Sequence, residues 1–338
     1  MRAHILVSCL LACSLVLCAG EKPLEIFAID VEGGQATLFV VPGGNSLLID
    51  TGWGYNAFRD ADRIAAAAKL ARIKKIDYVL ITHYHSDHVG GVPQLVKKIP
   101  VGTFIDHGPN RETSKASETL YSEYQGAIAG LNHMVAKPGE RLPIKGMDAV
   151  VVSADGNVID QPLAGAGQPN QFCAGVQEKA ADPSENARSV GLVITYGSLR
   201  IVDLGDLTWN KELQLVCPNN KLGRADVLIV SHHGLDLSNS PALVHALQAR
   251  VAIMDNGAKK GASPTAWDIV KSSPGLQDLW QLHFADANGS EHNVQDPFIA
   301  NVTEADTGYY LKVTADADGS LKVYNARNKF SKEYPAAR

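Results

Sequence analysis

Three histidines and an aspartate lie within six positions, directly after an apolar run. They are His83, His85, Asp87 and His88, and the run is residues 77–81. A run rich in β-branched residues is typical of a buried strand, so His83 and His85, two positions apart, are expected to face the same way at its end. Asp87 and His88 follow a turn and are expected to point toward a second ion. Imidazole suits zinc, and the added carboxylate also admits manganese or iron. The stretch therefore predicts a site for two metal ions, with two zinc ions as the simplest filling.

The same stretch, His83-Tyr84-His85-Ser86-Asp87-His88, resembles the HxHxDH motif of the metallo-β-lactamase-fold hydrolases. The resemblance implies an α/β chain folded as a four-layer αββα sandwich, with the metal site at one edge. Candidate ligands at successive strand ends agree with that architecture. The motif is specific for this superfamily but says little about the substrate.

Two carboxylates elsewhere match further parts of the superfamily pattern. Asp50 ends a predicted strand at residues 45–50, and by resemblance it would hydrogen-bond a histidine ligand and hold its tautomer. The alternative is an aspartate that caps a turn. Asp206 lies in Gly205-Asp206 after a predicted hairpin. By resemblance its carboxylate would bridge the two metals and offset part of their repulsion, so that they lie ~3.5 to 4 Å apart.

A buried strand predicted at residues 225–230 ends in Ser231-His232-His233-Gly234. This element resembles the His-His-Gly of the hydrolase domain of DNA-uptake competence proteins, which implies that one histidine of the pair completes the second metal. We expect His232 to be the ligand and His233 to donate to the substrate or to a ligand. The reverse assignment is the alternative.

One ligand of the superfamily pattern is absent. Many members have a third histidine for the first metal shortly before the bridging residue, but only His107 and His133 lie between His88 and Asp206. His107 follows a predicted strand at 101–105 and either reaches the first metal or is an ordinary turn histidine. Without it, the first metal is left with His83, His85, Asp206 and water.

Apolar patterns predict the elements that hold these residues. Three strands with tight turns are expected over residues 24–50, and a helix at 60–73 leads into the metal strand. A hairpin is expected at 189–204, directly before Asp206. A second hairpin at 309–324 is predicted to follow a part of the chain that alternates helix and strand.

The first twenty residues are expected to be a cleaved signal peptide. Their apolar run, residues 5–17, is shorter than the ~20 residues of a membrane-spanning helix but fits a secretory core. We therefore expect a secreted or periplasmic protein. A lipoprotein anchor is the alternative, because Leu10-Leu11-Ala12-Cys13 loosely resembles a lipid-attachment box. The mature chain would keep Cys173 and Cys217, which either form a disulfide in an oxidising compartment or remain separate thiols.

The composition is that of an ordinary globular protein without a strong nucleic-acid surface. The 338 residues are 45% hydrophobic and 20% charged, with a net charge of -5, whereas phosphate backbones are bound largely by Lys and Arg. No later stretch is long and apolar enough to span a membrane. Residues 21–338 are expected to form one metallo-β-lactamase-fold domain with an insertion near 154–183, where no periodicity is clear. The sequence leaves the oligomeric state open.

These candidate ligands point to hydrolysis of a small molecule. Two metal ions lower the pKa of a bound water to about 7, so a metal-bound hydroxide is available at neutral pH, and they polarise the substrate oxygen. Asp87 or Asp206 would orient this group or accept a proton, with His233 beside them. A small phosphodiester is the first expectation, from the resemblance to the competence-type hydrolases. Lactones such as acyl-homoserine lactones, other esters and β-lactams are alternatives, and a non-catalytic protein that binds through a metal site is the alternative outside enzymes.

Overall fold

The computed structural model describes residues 22–303 and 306–337. The predicted signal peptide, residues 1–20, lies outside the described residues. The strands are β1 (Leu24–Ala28), β2 (Thr37–Val40), β3 (Ser46–Ile49), β4 (Ile76–Leu80), β5 (Val101–Asp106), β6 (Asn132–Val135), β7 (Asp148–Ala154), β8 (Asn157–Val158), β9 (Gln168–Pro169), β10 (Gly191–Tyr196), β11 (Leu199–Asp203), β12 (Asn219–Asn220), β13 (Val227–Ile229), β14 (Val251–Met254), β15 (Asp278–His283), β16 (Ile299–Asn301), β17 (Leu311–Ala315), β18 (Leu321–Asn325) and β19 (Ser331–Tyr334). The α-helices are α1 (Arg59–Leu70), α2 (Ser86–Val89), α3 (Val92–Leu95), α4 (Lys115–Ile128), α5 (Trp209–Val216), α6 (Pro241–Leu247) and α7 (Pro264–Lys271). None of these helices, within the described ranges, has the length and apolar character needed to cross a membrane.

The described strands form two large mixed sheets. The first has the order β19-β18-β17-β1-β2-β3-β4-β5-β6, and the second has the order β16-β15-β14-β13-β11-β10-β7-β8. Strands β3 to β6 run parallel in the first sheet, and β11, β13, β14, β15 and β16 run parallel in the second. Parallel strands carry the loops that follow their carboxyl ends along one edge of the sheet. That edge is where the candidate ligands were predicted.

Apolar side chains fill the space between the sheets and cover their outer faces. Phe39 of the first sheet and Leu192 and Trp280 of the second are buried in the central core. Residues of α1, α3 and α4 pack on the other face of the first sheet. Residues of α5, α6 and α7 pack on the other face of the second sheet. The predicted four-layer αββα sandwich is therefore confirmed.

The helix predicted before the metal strand forms as α1. Its buried face includes Ala61, Ile64 and Ala68, which are spaced by three and four residues as an amphipathic helix requires. The face packs in the same apolar layer as Val79 of β4 and Val92 of α3. This layer fixes β4 from below, and β4 delivers the histidine motif at its end.

Helix α4 has no counterpart among the predicted elements. Its N-terminus is capped by Ser114, whose Oγ accepts a hydrogen bond from the backbone N–H of Ser117 at 3.1 Å. Its buried face is narrow and includes Tyr124 and Ile128, four residues apart, while much of the helix is exposed. The serine cap and this spacing are the signals that could have found it.

The segment predicted as an insertion, residues 154–183, is held at several points. β9 pairs with β12 in a small separate sheet. Cys173 forms a disulfide with Cys217, which directly follows α5, so of the two alternatives for these cysteines the structure has the bond. Farther along, the ammonium of Lys179 lies 3.9 Å from the ring centre of Trp209. The end of the segment therefore covers the start of α5, close to the loop that carries Asp206.

Candidate metal centre

Four buried side chains from three loops meet at one edge of the sandwich. Asp87 and His88 lie in α2 after β4, Asp206 follows β11, and His233 lies in the 3-10 turn Ser231–Gly234 after β13. The atoms that they could offer to a metal ion all lie within 4.8 Å of one another. We call these four residues the metal group. The fold thus brings together four residues that the sequence singled out for the site.

His233 has close contacts to every other member of the metal group. Its Nε2 is 3.2 Å from Oδ2 of Asp87, 3.2 Å from Nε2 of His88 and 3.5 Å from Oδ1 of Asp206. Nε2 of His88 is 3.3 Å from Oδ2 of Asp87 and 3.3 Å from Oδ2 of Asp206. Donor atoms bound at about 2.0 to 2.1 Å to one tetrahedral zinc ion lie about 3.3 Å apart. The spacing of the metal group therefore matches that of a tetrahedral ligand set.

His83, His85 and His232 lie around the metal group. Nε2 of His83 is 3.9 Å and Nε2 of His232 is 3.3 Å from Oδ2 of Asp206. The ring of His85 stands edge-on to the ring of His83, with centres 4.6 Å apart, and its Nε2 is 3.0 Å from Oε1 of Glu112. His83 and His232 thus border Asp206, and His85 stands behind His83.

Asp50 contacts the metal group from below. Its Oδ2 is 2.7 Å from Nδ1 of His88, and its two oxygens accept hydrogen bonds from the backbone N–H and the hydroxyl of Thr82 at 2.8 and 2.7 Å. The Thr82 hydroxyl is also 3.0 Å from Nδ1 of His83. A carboxylate on Nδ1 leaves Nε2 of His88 free to bind a metal, which is the role expected for Asp50. That role stays a prediction, and this contact supports it.

The histidine pair after β13 has partners of its own. Nδ1 of His232 is 3.3 Å from the Ser238 hydroxyl, and Nδ1 of His233 is 3.3 Å from Oδ1 of Asp255. In both residues Nε2 is the nitrogen that points toward Asp206. Both imidazoles therefore offer the same ring atom to the site.

The backbone is left-handed at three residues of the site. The φ angles are 60° at Asp50, 54° at His232 and 53° at His233. This region is uncommon for residues with a Cβ, and strain of this kind costs ~1 to 3 kcal/mol per residue. Two consecutive left-handed residues turn the chain sharply enough to aim both histidines at the site from one short turn.

The carboxylates and imidazoles of the metal group shift one another's pKa values. Burial opposes ionisation of Asp206, but His232, His88 and His233 outweigh it and hold its pKa well below its usual range. Burial likewise opposes ionisation of Asp87, and the same two neighbours, His88 and His233, lower its pKa. Burial would lower the pKa of both imidazoles, yet the carboxylates raise the pKa of His88 well above its ordinary value and that of His233 to about 10. The group is therefore built from ionised carboxylates.

His83 and His232 show the opposite shift. Burial, with the neighbouring His88 and His85, holds the pKa of His83 well below its ordinary value. Burial also lowers the pKa of His232, against the attraction of Asp206. Both imidazoles are therefore neutral at pH 7, the form in which histidine binds metals.

The donor set fits a divalent metal. Within the described part of the chain, Nε2 of His83 and Oδ1 of Asp206 are buried without a hydrogen-bond partner. A buried polar atom left unpaired costs ~1 to 3 kcal/mol. A cation bound between imidazoles and carboxylates would remove that cost. Borderline ions such as zinc prefer this mixture of nitrogen and oxygen donors.

The structure does not bring His107 to the metal group. Its Nε2 is 2.8 Å from Oε2 of Glu185, a fully buried carboxylate. Glu185 also accepts hydrogen bonds from the backbone N–H groups of Tyr84 and Arg111 at 3.3 and 2.7 Å. His133 is similarly engaged, with Nε2 2.8 Å from Oδ2 of Asp106. The nitrogen that His107 would give to a metal thus contacts a carboxylate from a distant loop.

Three residues that border the site were missed at the level of sequence. Lys260 contacts Oδ2 of Asp87 and lies 5.0 Å from the ring centre of Trp53. Asp255 directly follows β14, and Glu112 lies between β5 and α4. Asp255 gave the same signal as Asp50, a carboxylate directly after a buried strand. Lys260 lies in a turn flanked by glycines, and Glu112 gave no local signal.

Comparison with known proteins bears on the amino-terminal half of the fold. Residues 30–167 match the model of the Metallo-beta-lactamase superfamily. The lactamase-like protein ptaB of Pestalotiopsis fici is 31% identical over 102 residues, which are 30% of this chain and 32% of that protein. An atrochrysone carboxyl ACP thioesterase of Aspergillus fumigatus is 32% identical over 111 residues, which are 30% of this chain and 26% of that protein. The chain thus spans about a third or less of the length of these relatives.

A solved structure, the metallo-beta-lactamase fold protein YhfI of Bacillus subtilis, is similar over 77% of this chain and 96% of that one, with 14% identity and a TM-score of 0.45. The finer resemblance to competence proteins stays a prediction. The segment matched by the family model contains Asp50 and the complete His83–His88 motif. That segment and the four-layer fold place the chain in the metallo-beta-lactamase superfamily.

Proposed function

We propose that the protein is a secreted hydrolase that uses a pair of divalent metal ions, and that its substrate is a small phosphodiester. The observation that carries the proposal is the convergence of Asp87, His88, Asp206 and His233 at tetrahedral spacing, with the unpaired Nε2 of His83 beside them. Zinc, or manganese or iron, at such a site lowers the pKa of a water molecule and polarises the substrate oxygen. The disulfide fits the proposed oxidising compartment.

The ligand roles follow from the contacts. We assign Asp87, His88 and His233 to one ion, Asp206 to both, and His83 and His85 to the other. For the histidine pair this reverses the expectation from the sequence, because His233 makes 3.2 Å contacts to both Asp87 and His88. Asp87 and Asp206 are ionised, so either can accept a proton from the attacking water or orient it.

A phosphodiester is supported by charge as well as by the resemblance of Asp206 and the histidine pair. Lys260 adds a cation next to Asp87 at the border of the metal group. Cations around the scissile group stabilise the negative charge that a phosphoryl group carries into its transition state. The net charge of -5 favours a small substrate over long nucleic acid.

A carboxylic ester or thioester is the second candidate. It is favoured by the relatives, which include lactamase-like proteins and proteins described as atrochrysone carboxyl ACP thioesterases. The same metal group would polarise an acyl carbonyl equally well. Lactones, including acyl-homoserine lactones, belong to this class, and β-lactams share its acyl chemistry.

A substrate panel separates these candidates. The metal-loaded protein is assayed with a bis-aryl phosphodiester, an acyl thioester, an acyl-homoserine lactone and a chromogenic cephalosporin, and bound metal is quantified in the same preparation. The protein stripped by a chelator and then reloaded is the control. We expect turnover of the phosphodiester that disappears on stripping and returns with metal. Turnover of the thioester or lactone alone would replace the phosphodiester by the second candidate, and two bound metals without any turnover would contradict a hydrolase.

Glu112 is predicted to support the metal site through His85. Its Oε1 lies 3.0 Å from Nε2 of His85 and accepts the backbone N–H of Glu185 at 3.1 Å. A carboxylate on Nε2 leaves Nδ1 of His85 as the nitrogen with a lone pair. Glu112→Ala is therefore expected to weaken metal binding by about 10-fold or more. Competition with a chromogenic chelator measures the change.

The matched variants for this prediction are Glu112→Gln and Glu123→Ala. The glutamine keeps a carbonyl oxygen that can accept from His85, so its metal affinity should stay close to wild type. Glu123 is an exposed carboxylate on α4, and its removal should change nothing. Equal affinities of Glu112→Ala and wild type would show that the contact does not support the site.

A further inference from the structure

We propose that both histidines of the pair after β13 are metal ligands, one for each ion, and that His232 is the third histidine of the first metal. The proposal rests on the metal pair of the proposed function. It explains how the site is completed although the sequence lacks a histidine at the usual place before Asp206. His107, the other candidate for that place, contacts Glu185 instead.

The second metal does not need His232. Asp87, His88, His233 and Asp206 already give four donor atoms within 4.8 Å, the number that a tetrahedral ion takes. Nε2 of His233 is 3.2 Å from Asp87 and 3.2 Å from His88, so it belongs to that set by distance. The second histidine of the pair is therefore available for another role.

His232 faces the side of Asp206 that His83 also faces. Nε2 of His232 is 3.3 Å and Nε2 of His83 is 3.9 Å from the same oxygen, Oδ2, whereas Nε2 of His233 is 3.5 Å from Oδ1. His85 stands next to His83, with ring centres 4.6 Å apart. His83, His85, His232 and Asp206 thus form a second set of four donors, which shares only Asp206 with the first.

A hydrogen-bond relay fixes the tautomer of His232. The Ser238 hydroxyl donates to the backbone carbonyl of Asp206 at 3.5 Å, so its oxygen accepts from Nδ1 of His232 at 3.3 Å. With the proton on Nδ1, the lone pair of His232 is on Nε2, the atom that points at Asp206. This is the arrangement by which metal-binding histidines are usually oriented.

The backbone lets two adjacent histidines serve two ions. Because both residues are left-handed, with φ angles of 54° and 53°, their rings leave the chain in different directions. The ring planes differ by 71° and the ring centres are 6.2 Å apart. Asp206, which contacts both rings, lies between them. A separation of this size suits ligands of two ions that share one carboxylate.

The test is the metal content of single variants at fixed free zinc. Wild type, His232→Ala and His233→Ala are dialysed against a zinc buffer, and bound zinc per chain is measured by mass spectrometry. We expect two ions in wild type and one in each variant. Cobalt loading identifies the ion that is lost, since the two variants should show different visible absorption spectra. His292→Ala, a histidine remote from the site, should keep two ions.

Ser238→Ala provides a second test that does not remove a ligand. It should weaken binding of one ion by about 10-fold and leave the other unchanged, because only the orientation of His232 is affected. This variant decides the matter if His232→Ala does not fold. Two ions in His232→Ala with wild-type affinity, or identical cobalt spectra for His232→Ala and His233→Ala, would overturn the proposal.

These outcomes are separate from those of the proposed function. Loss of one ion in each variant without turnover of any panel substrate would uphold the ligand assignment and reject the hydrolase. Turnover with unchanged metal content in His232→Ala would do the reverse. A single ion in wild type that His232→Ala retains would also reject the assignment.

Discussion

Replacing Asp206 with asparagine is expected to lower kcat/KM of the metal-loaded protein by about a thousand-fold, or about 4 kcal/mol. Asp206 is buried and within 4 Å of Nε2 of His83, His88, His232 and His233. Asparagine keeps the shape but removes the negative charge that would hold two cations close together. Bound metal per chain should fall with the activity, as measured on the same sample.

The matched control is Asp203→Asn, three residues earlier on the same strand. Asp203 is equally buried, and burial raises its pKa to about 7 even though the Gln35 amide and the backbone N–H of Gly205 donate to it. A neutral amide is therefore tolerated there, and this variant should keep its metal and most of its activity. If Asp206→Asn retains two ions and wild-type turnover, the proposed bridging role is wrong.

Gly91→Ala is expected to destabilise the protein by about 3 kcal/mol and to lower its metal affinity. A Cβ at this position would lie 2.1 Å from the carbonyl oxygen of Thr51, which is backbone and cannot rotate away. Thr51 in turn donates its N–H and its hydroxyl to the carbonyl of His88 at 2.8 and 2.9 Å. The added methyl group therefore pushes α2, which carries Asp87 and His88, away from the end of β3. Urea unfolding and a zinc titration measure the two effects.

Gly126→Ala is the control for this substitution. Gly126 lies in α4, and no heavy atom among the described residues would lie within 4 Å of its Cβ beyond its own helix. Alanine in a helix interior is favoured over glycine by about 1 kcal/mol, so this variant should be slightly more stable than wild type. Equal stability of the two variants would mean that the contact with Thr51 does not restrict position 91.

The part of the site that could be predicted is the part encoded by short spacing. His83, Asp87 and His88 follow one strand closely, and a strand end followed by a turn leaves few directions for their side chains. Asp50 and Asp206 could be placed because each follows a strand directly. The same alternation of apolar and polar residues gave the strands and the helix α1, and with them the four layers.

The part that could not be predicted depends on contacts between distant segments. His107 contacts Glu185, 78 residues later in the chain, and no local pattern announces that partner. The assignment of His232 and His233 depends on two left-handed residues in succession, a conformation that the letters His-His-Gly do not specify. Helix α4 was missed because its buried face is narrow and its exposed face dominates the pattern.

The position of β1 has a consequence for the order of folding. β1 pairs on one side with β2 and on the other with β17, with Leu24 opposite Ala315. The first sheet therefore cannot close until nearly the whole described chain has been synthesised. Pairings between such distant segments slow folding, because the entropy of closing a long loop is lost before the contact forms. A chain of this topology stays open during translation, the state in which a polypeptide can still be threaded through an export channel.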